Sequence, residues 1–166
     1  MANDETTGDG NRLIAERRAK LAALRGGAPA YPNDFRRDAL AAQIEASWGD
    51  KSAEWLEANP VTVRVGGRLM AKRVMGKASF ATLQDASGRI QLFVTRDALG
   101  EEGYERFKHL DLGDFVGATG TLFRTKTNEP SIKLESFTIL AKALRPPPAK
   151  WHGLEDTEIR YRQRYL

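Results

Sequence analysis

From Val61 the apolar residues recur at every second position, and this change of period constrains the chain more than any other feature. Val61, Val63 and Val65 alternate with Thr62, Arg64 and Gly66, the pattern of a strand with one buried face. This first strand continues to about Lys72. Two more strand-like runs follow at about 78–84 and 89–95, joined by "DASG", a turn by composition. "EEGYERFKHL" reads as a short helix. "DLGDFVGATGTLFRT" reads as a fourth strand, and about 131–140 as a fifth after a "TNEP" turn. Gly66-Gly67, Gly117 and Gly120 stand where strands must bend or bulge. Five strands in about 80 residues, with a helix between the third and fourth, describe a mainly β fold. They specify a five-stranded Greek-key barrel of the OB type with flanking helices. An SH3-like barrel lacks a helix at that place in the order.

Before Val61 the spacing is helical. Residues 12–25, "RLIAERRAKLAALR", carry Ile14, Leu21 and Leu24 on a helical period. "GGAPAYPND" ends that helix and forms a linker. A second helix is expected over about 36–47, with Asn33 or Asp34 as its cap. "SAEWLEAN" adds a short helical piece, which Pro60 closes. The domain plan is therefore a flexible polar tail (1–11), a helical segment (12–60), the barrel (61–144) and a connector (145–166). In the connector "RPPPAKWHG" is irregular, and "LEDTEIRYRQRYL" resumes helical character.

Composition excludes several classes of function. An apolar fraction of 41% supports a core, yet no apolar run approaches the roughly 18 to 20 residues of a membrane span. There are no cysteines, so disulfides and thiolate metal sites are excluded. His109 and His152 lack metal-ligand spacing. No P-loop, dinucleotide fingerprint or nucleophile–base pair is present. The expectation is no catalytic residue, no cofactor and no metal in this segment, and a cytoplasmic location fits. The net charge is only +4, but the basic residues cluster. Arg12, Arg17, Arg18, Lys20 and Arg25 form one group. Arg64, Arg68, Lys72, Arg73 and Lys77 form another with no acid among them. A basic stripe beside aromatics suits single-stranded nucleic acid, and a solvated basic surface is the alternative.

Alternation fixes which residues share that surface. If Gln84 faces Arg89, then Thr82 faces Gln91 and Phe80 faces Phe93. All six point away from Leu83, Ile90, Leu92 and Val94. Arg64, Arg68 and, barring a bulge, Lys72 join them, with Arg73 at the strand end. Phe80 offers a stacking platform for a base. Gln91 carries a donor and an acceptor on one amide and can read a base edge. A one-residue slip of register would instead bury both phenylalanines under the N-terminal helices. The neighbours of Phe80 are small, which favours its exposure, whereas Phe93 divides evenly between scaffold and contact. In the last strand Ile132 and Leu134 share one parity and Phe137 and Ile139 the other. The break near Glu135-Ser136 implies a bulge that leaves Lys133 and Glu135 outward. Glu135 could accept from base N–H groups or form a surface ion pair.

The longer blocks "GRLMAKRVMGKASFATLQDASGRIQLFV", "FKHLDLGDFVGATGTLFRTKT" and "KALRPPPAKWHGLEDTEIRYRQRYL", with "YPNDF" before them, resemble the N-terminal region of bacterial class II lysyl-tRNA synthetases. The resemblance runs from about Arg12 to Leu166. It implies an OB-fold that binds the anticodon of lysine tRNA. Phe80 matches the residue that stacks on an anticodon base, and Gln91 the one that reads the central uracil. Arg68 and Arg73 match basic positions near the anticodon, and Glu129 is the nearest equivalent of an acidic residue after "TKT". Glu135 is a second acidic candidate, since many relatives carry glutamate at the position of Ser136. Pro130 departs from the family pattern and removes a backbone donor where the fifth strand starts. The resemblance further implies that catalysis, with ATP and magnesium, and much of a homodimer contact belong to a catalytic domain beyond Leu166. This segment alone would then charge no tRNA. A general single-strand-binding module and a protein-interaction module remain the competing readings. The role of Arg17-Arg18, tRNA stem or solvent, stays open.

Overall fold

The computed structural model describes residues 4–27, 29–145 and 161. Alternating apolar positions build five strands: β1 Thr62–Met75, β2 Ala78–Gln84, β3 Arg89–Thr95, β4 Phe115–Arg124 and β5 Pro130–Ala141. They close into a barrel in the order β1-β2-β3-β5-β4. Neighbours are antiparallel except β3 and β5, which run parallel and complete the ring. This is the expected order of elements. The inward side chains form the core: Val63, Val65, Leu69, Leu83, Leu92, Val116, Leu122, Ile132 and Leu134 are each at most 3% exposed. Each such side chain contributes roughly 1.5 to 3 kcal/mol by leaving water.

Among the described residues these helices flank the barrel: α1 Asp4–Arg25, α2 Ala41–Trp48, α3 Ala53–Ala58 and α4 Arg96–Lys108. α4 plugs one opening with Tyr104 and Phe107, both 1% exposed. The Tyr104 hydroxyl accepts from Ser79 Oγ at 2.7 Å and donates to the Gly76 carbonyl at 2.9 Å. Ile44 of α2 and Leu56 of α3 also join the core.

Several boundaries differ from the sequence reading. α1 begins at Asp4, inside the stretch read as a tail. α4 begins at Arg96 because Thr95 accepts from the Ala98 N–H and caps it. β4 starts at Phe115, after a turn. The second helix starts at Ala41, not near residue 36. Residues before it are held extended: the N–H groups of Asp38 and Ala39 donate to the Arg64 carbonyl, and the Asp38 carboxylate accepts from Arg64 N–H. Neither Asn33 nor Asp34 caps α2. Its first free N–H groups go instead to the β2–β3 turn, Ala41 to Asp85 Oδ2 (2.8 Å) and Ala42 to Ser87 Oγ (3.0 Å). A cap from a residue 44 positions away has no local signature. Of the connector after Arg145 only Tyr161 is described, and it is helical; the rest lies outside the described residues.

Arg17 is neither solvated nor free for RNA. It is 8% exposed and donates to the carbonyls of Leu112 and Ala143, each at 3.0 Å, which clamps α1 to the barrel. Lys20 adds a 2.8 Å ion pair to Asp111. The two carboxylates of "DLGD" hold a buried cation. Lys142, with its side chain 2% exposed, bonds the fully buried Asp114 at 2.8 Å and also Asp111. Burial would push the Asp111 carboxyl up, but hydrogen bonds from Lys142 and Lys20 outweigh it and hold the pKa below the usual carboxylate value.

Candidate nucleic-acid interface

The β2–β3 hairpin has the register that alternation predicts: Gln84 opposite Arg89, Thr82 opposite Gln91, Phe80 opposite Phe93. Asp85 fixes the turn by accepting from the N–H groups of Ser87 and Gly88 and from Ser87 Oγ. Burial raises its pKa, and those bonds with the Ala41 N–H more than reverse the shift, so its pKa lies below the usual carboxylate value.

On β1 the parity breaks. Leu69 pairs with Leu83, but Ala71 pairs with Thr82, so Met70 is an extra residue. Two expectations change as a result. Lys72 is opposite Ala81, on the inner side, and not on the outer face with Arg68. Its ammonium donates to the carbonyls of Lys108 (2.6 Å) and Leu110, at the C-terminal end of α4, where a cation is favoured. Burial lowers its pKa, partly offset by Asp111. Arg73 in turn moves opposite Phe80 onto the outer face, and β1 runs on to Met75 where a turn was expected. Arg64, also on that side, is paired with Asp38 at 3.1 Å.

The outer face carries a row of rings. Phe80 and Phe93 lie 5.1 Å apart between centroids, and Phe93 and Phe123 5.6 Å. All three are partly exposed. Phe93 is the middle member, touched on both sides, and Phe80 is the end that adjoins Arg73. Phe123 was not singled out from the sequence, although its signal was there: Val116, Ala118 and Leu122 point inward, so Phe123 must point out.

Beside the rings, Gln91 is held from two directions. Its Nε2 donates to Glu129 Oε2 at 3.0 Å, and its Oε1 accepts from Ser131 Oγ at 2.9 Å. Ser131 faces Gln91 across the parallel β3–β5 pair. Glu129 is set by the preceding turn, where its N–H donates to Thr125 Oγ1 and its carbonyl accepts from the Thr125 N–H, both at 3.1 Å. Asn128, at φ 63°, makes that turn possible. Arg124 ties the turn to the α2–α3 link by donating to the carbonyls of Asn128, Gly49 and Lys51. A primary amide has two donors and two acceptor lone pairs. One of each is used, so Gln91 keeps one donor and one acceptor in a fixed orientation.

Arg73 and Phe80 thus share one end of the outer face, and Gln91, opposite Thr82, lies midway along it with Glu129 beside it. Arg68 lies at the other end, opposite Gln84 and Phe115, with its guanidinium 4.8 Å from the Phe115 ring centre. Glu135 is elsewhere. It is the extra residue of the β5 bulge expected near Glu135-Ser136, and it accepts from Thr121 Oγ1. Among the described residues no three His, Asp or Glu side chains gather as a metal would require. They do not fit magnesium. No described helix is long and apolar enough to cross a membrane.

Comparison with known proteins agrees with this geometry. Residues 63–140 match the tRNA-anticodon family, described as an OB-fold nucleic acid binding domain. The chain is 57% identical over 158 residues to a lysine–tRNA ligase of Aromatoleum aromaticum, covering 95% of this chain and 32% of the ligase. It is 58% identical to that of an Azoarcus species over the same shares. With the ligase of Nitrosomonas europaea it is 53% identical over 169 residues, all of this chain and 34% of the ligase. The chain spans about a third of the length of the curated relatives it matches, at their N-terminal end. Residues 63–140 belong to the family of OB-fold anticodon-binding domains, and the chain is homologous over nearly its whole length to the N-terminal region of lysine–tRNA ligases.

Proposed function

We propose that this chain is the anticodon-recognition part of a lysine–tRNA ligase and that the outer face of β1–β3 binds the anticodon loop of lysine tRNA. Phe80 stacks on one anticodon base. Gln91 reads the central uridine with its remaining donor and acceptor. Arg68 and Arg73 contact phosphates. Glu129 orients Gln91 and faces the same bases, whereas Glu135, tied to Thr121 at the far bulge, is assigned no more than a peripheral contact. The observation that carries the reading is the doubly anchored amide of Gln91 beside a row of partly exposed rings. An amide oriented before the base arrives avoids an ordering cost on binding, and unpaired RNA bases are read by stacking with edge hydrogen bonds. The longer ligase carries out ATP- and magnesium-dependent lysylation in the cytoplasm, as a homodimer.

The test is a competition titration at fixed salt between the lysine anticodon stem–loop and one with the central uridine replaced by cytidine. Preference for the uridine is expected. Equal binding of both would leave only a general single-strand-binding module, and no salt-sensitive binding of either would overturn the reading.

A further inference from the structure

At the far end of the outer face, the strand surface meets the linker ahead of α2. The two enclose an open cleft of about 730 Å³. Its floor is Gly66-Gly67. One wall is Phe35, which sits where it does because residue 117 is glycine: a Cβ there would lie 2.8 Å from the ring. The opposite wall is the Arg68–Phe115 stack, with Phe115 41% exposed. Arg36 and Arg37 stand at the rim. Arg37 has no carboxylate in ion-pair distance among the described residues, and Arg36 uses only Nη1, on the carbonyls of its own loop. The lone acid in the lining, Asp85, is committed to the start of α2 and the hairpin turn. Gln84 lines the cleft and accepts from Arg89 through its side-chain oxygen, so its amide N–H groups are not used in that bond.

Three guanidinium groups, one exposed aromatic face and no uncommitted carboxylate select an anionic partner with a flat apolar part. We propose that the cleft takes a further nucleotide of the RNA strand, its phosphate against Arg36 and Arg37 and its base on the Arg68–Phe115 stack. The inference rests on the reading that the outer face binds an anticodon loop. It adds a second contact region that the anticodon bases themselves do not reach. Gln84 and Phe80 share one face of β2, four residues apart, or about 13 Å of strand. That separation fits within the roughly 4 to 16 nucleotides an OB-fold covers. A nucleotide flanking the three anticodon bases is thus the one in reach. A guanidinium stacked on a phenyl ring is a platform of the kind that takes RNA bases with little sequence preference.

The experiment uses the whole chain, the lysine anticodon stem–loop as probe, and the variants Phe115→Leu, Arg37→Gln and Phe80→Ala. Both Phe115 and Arg37 are exposed, and matched melting temperatures verify folding. Phe115→Leu is expected to weaken binding about tenfold while preference for the central uridine stays at the parental value. Arg37→Gln is expected to lower the slope of log affinity against log salt by about one. Parental affinity and slope in both variants, with Phe80→Ala weakened, would overturn the cleft proposal and leave the anticodon face standing. Parental binding in all three would overturn both. Unchanged RNA binding with self-association lost in Phe115→Leu, seen by sedimentation, would reassign the cleft to contact between copies of the chain and also overturn the proposal.

Discussion

Gln91 and Glu129 are 38 residues apart in the chain and joined by a 3.0 Å hydrogen bond from amide to carboxylate. With Ser131 on the other atom of the amide, this bond fixes which edge of Gln91 faces outward. Glu129→Ala should therefore lower discrimination between central-base variants of the stem–loop by about tenfold, the worth of roughly one hydrogen bond. Overall affinity should fall less than discrimination. Glu129→Gln keeps an acceptor and should retain most of the preference. The ratio of the two dissociation constants measures this, and an unchanged ratio in Glu129→Ala would remove Glu129 from the reading site.

Phe80 ends the row of rings, next to Arg73. Phe80→Ala should cost about 1 to 3 kcal/mol of stem–loop affinity through lost stacking. Phe80→Trp, with a larger π face, should bind at least as well as the parent. Phe93→Ala is expected to lower the melting temperature more than Phe80→Ala does, because it removes two ring contacts where Phe80→Ala removes one. Thermal melts and anisotropy titrations separate the two roles.

Lys142 bonds both the fully buried Asp114 and the partly buried Asp111, so its removal bears on stability and, through Asp111, on the response to acid. Lys142→Ala leaves a carboxylate with no exposed surface and no cation, at a cost of roughly 3 to 5 kcal/mol. Asp111 and Asp85 both have pKa values below the ordinary one. Their contribution is fully present above the unfolded carboxylate value of about 3.9 and is lost as pH falls through the depressed folded values. Melting temperature should thus hold level from neutral pH down to about 4 and drop steeply below it. Lys142→Ala should flatten that acid limb, since part of what acid removes is already gone.

Gly120 sits where β4 and β5 shift register, and a Cβ there would lie 2.1 Å from the Lys133 carbonyl oxygen. No rotamer relieves a backbone clash. Gly120→Ala should destabilise the barrel by at least the roughly 1 to 3 kcal/mol of an overpacked core site, visible as a lower denaturation midpoint. Gly27 has open space around its Cβ position, so Gly27→Ala should leave that midpoint unchanged.

The barrel was legible because period-two alternation and short turns are local signals. The hairpin register followed from a turn of fixed length, which put Phe80 opposite Phe93 and Gln91 opposite Thr82. What escaped was set by partners distant in sequence. The start of α2 depends on Asp85 and Ser87. Arg17 reads as one more cation of a basic helix, yet three carbonyls from 112 to 145 claim it. Lys142 lies just past β5, where nothing local marks it as buried. Lys72 and Arg73 exchanged places because a bulge at Met70 costs one residue and leaves no trace in composition.

That bulge makes β1 two half-strands of opposite phase spliced at a single residue. Arg68 and Arg73 are five positions apart, an odd spacing that in a regular strand would set them on opposite sides. The splice lets one strand present a cation at each end of the same surface while Lys72, between them, serves the interior. Transplanting this surface onto another barrel would therefore fail if only the charged residues were moved. Straightening β1 with Met70 kept in the ladder would be a frame change in three dimensions, reversing the facing of one half-strand, whereas deleting Met70 leaves an even spacing of four that keeps Arg68 and Arg73 on one side.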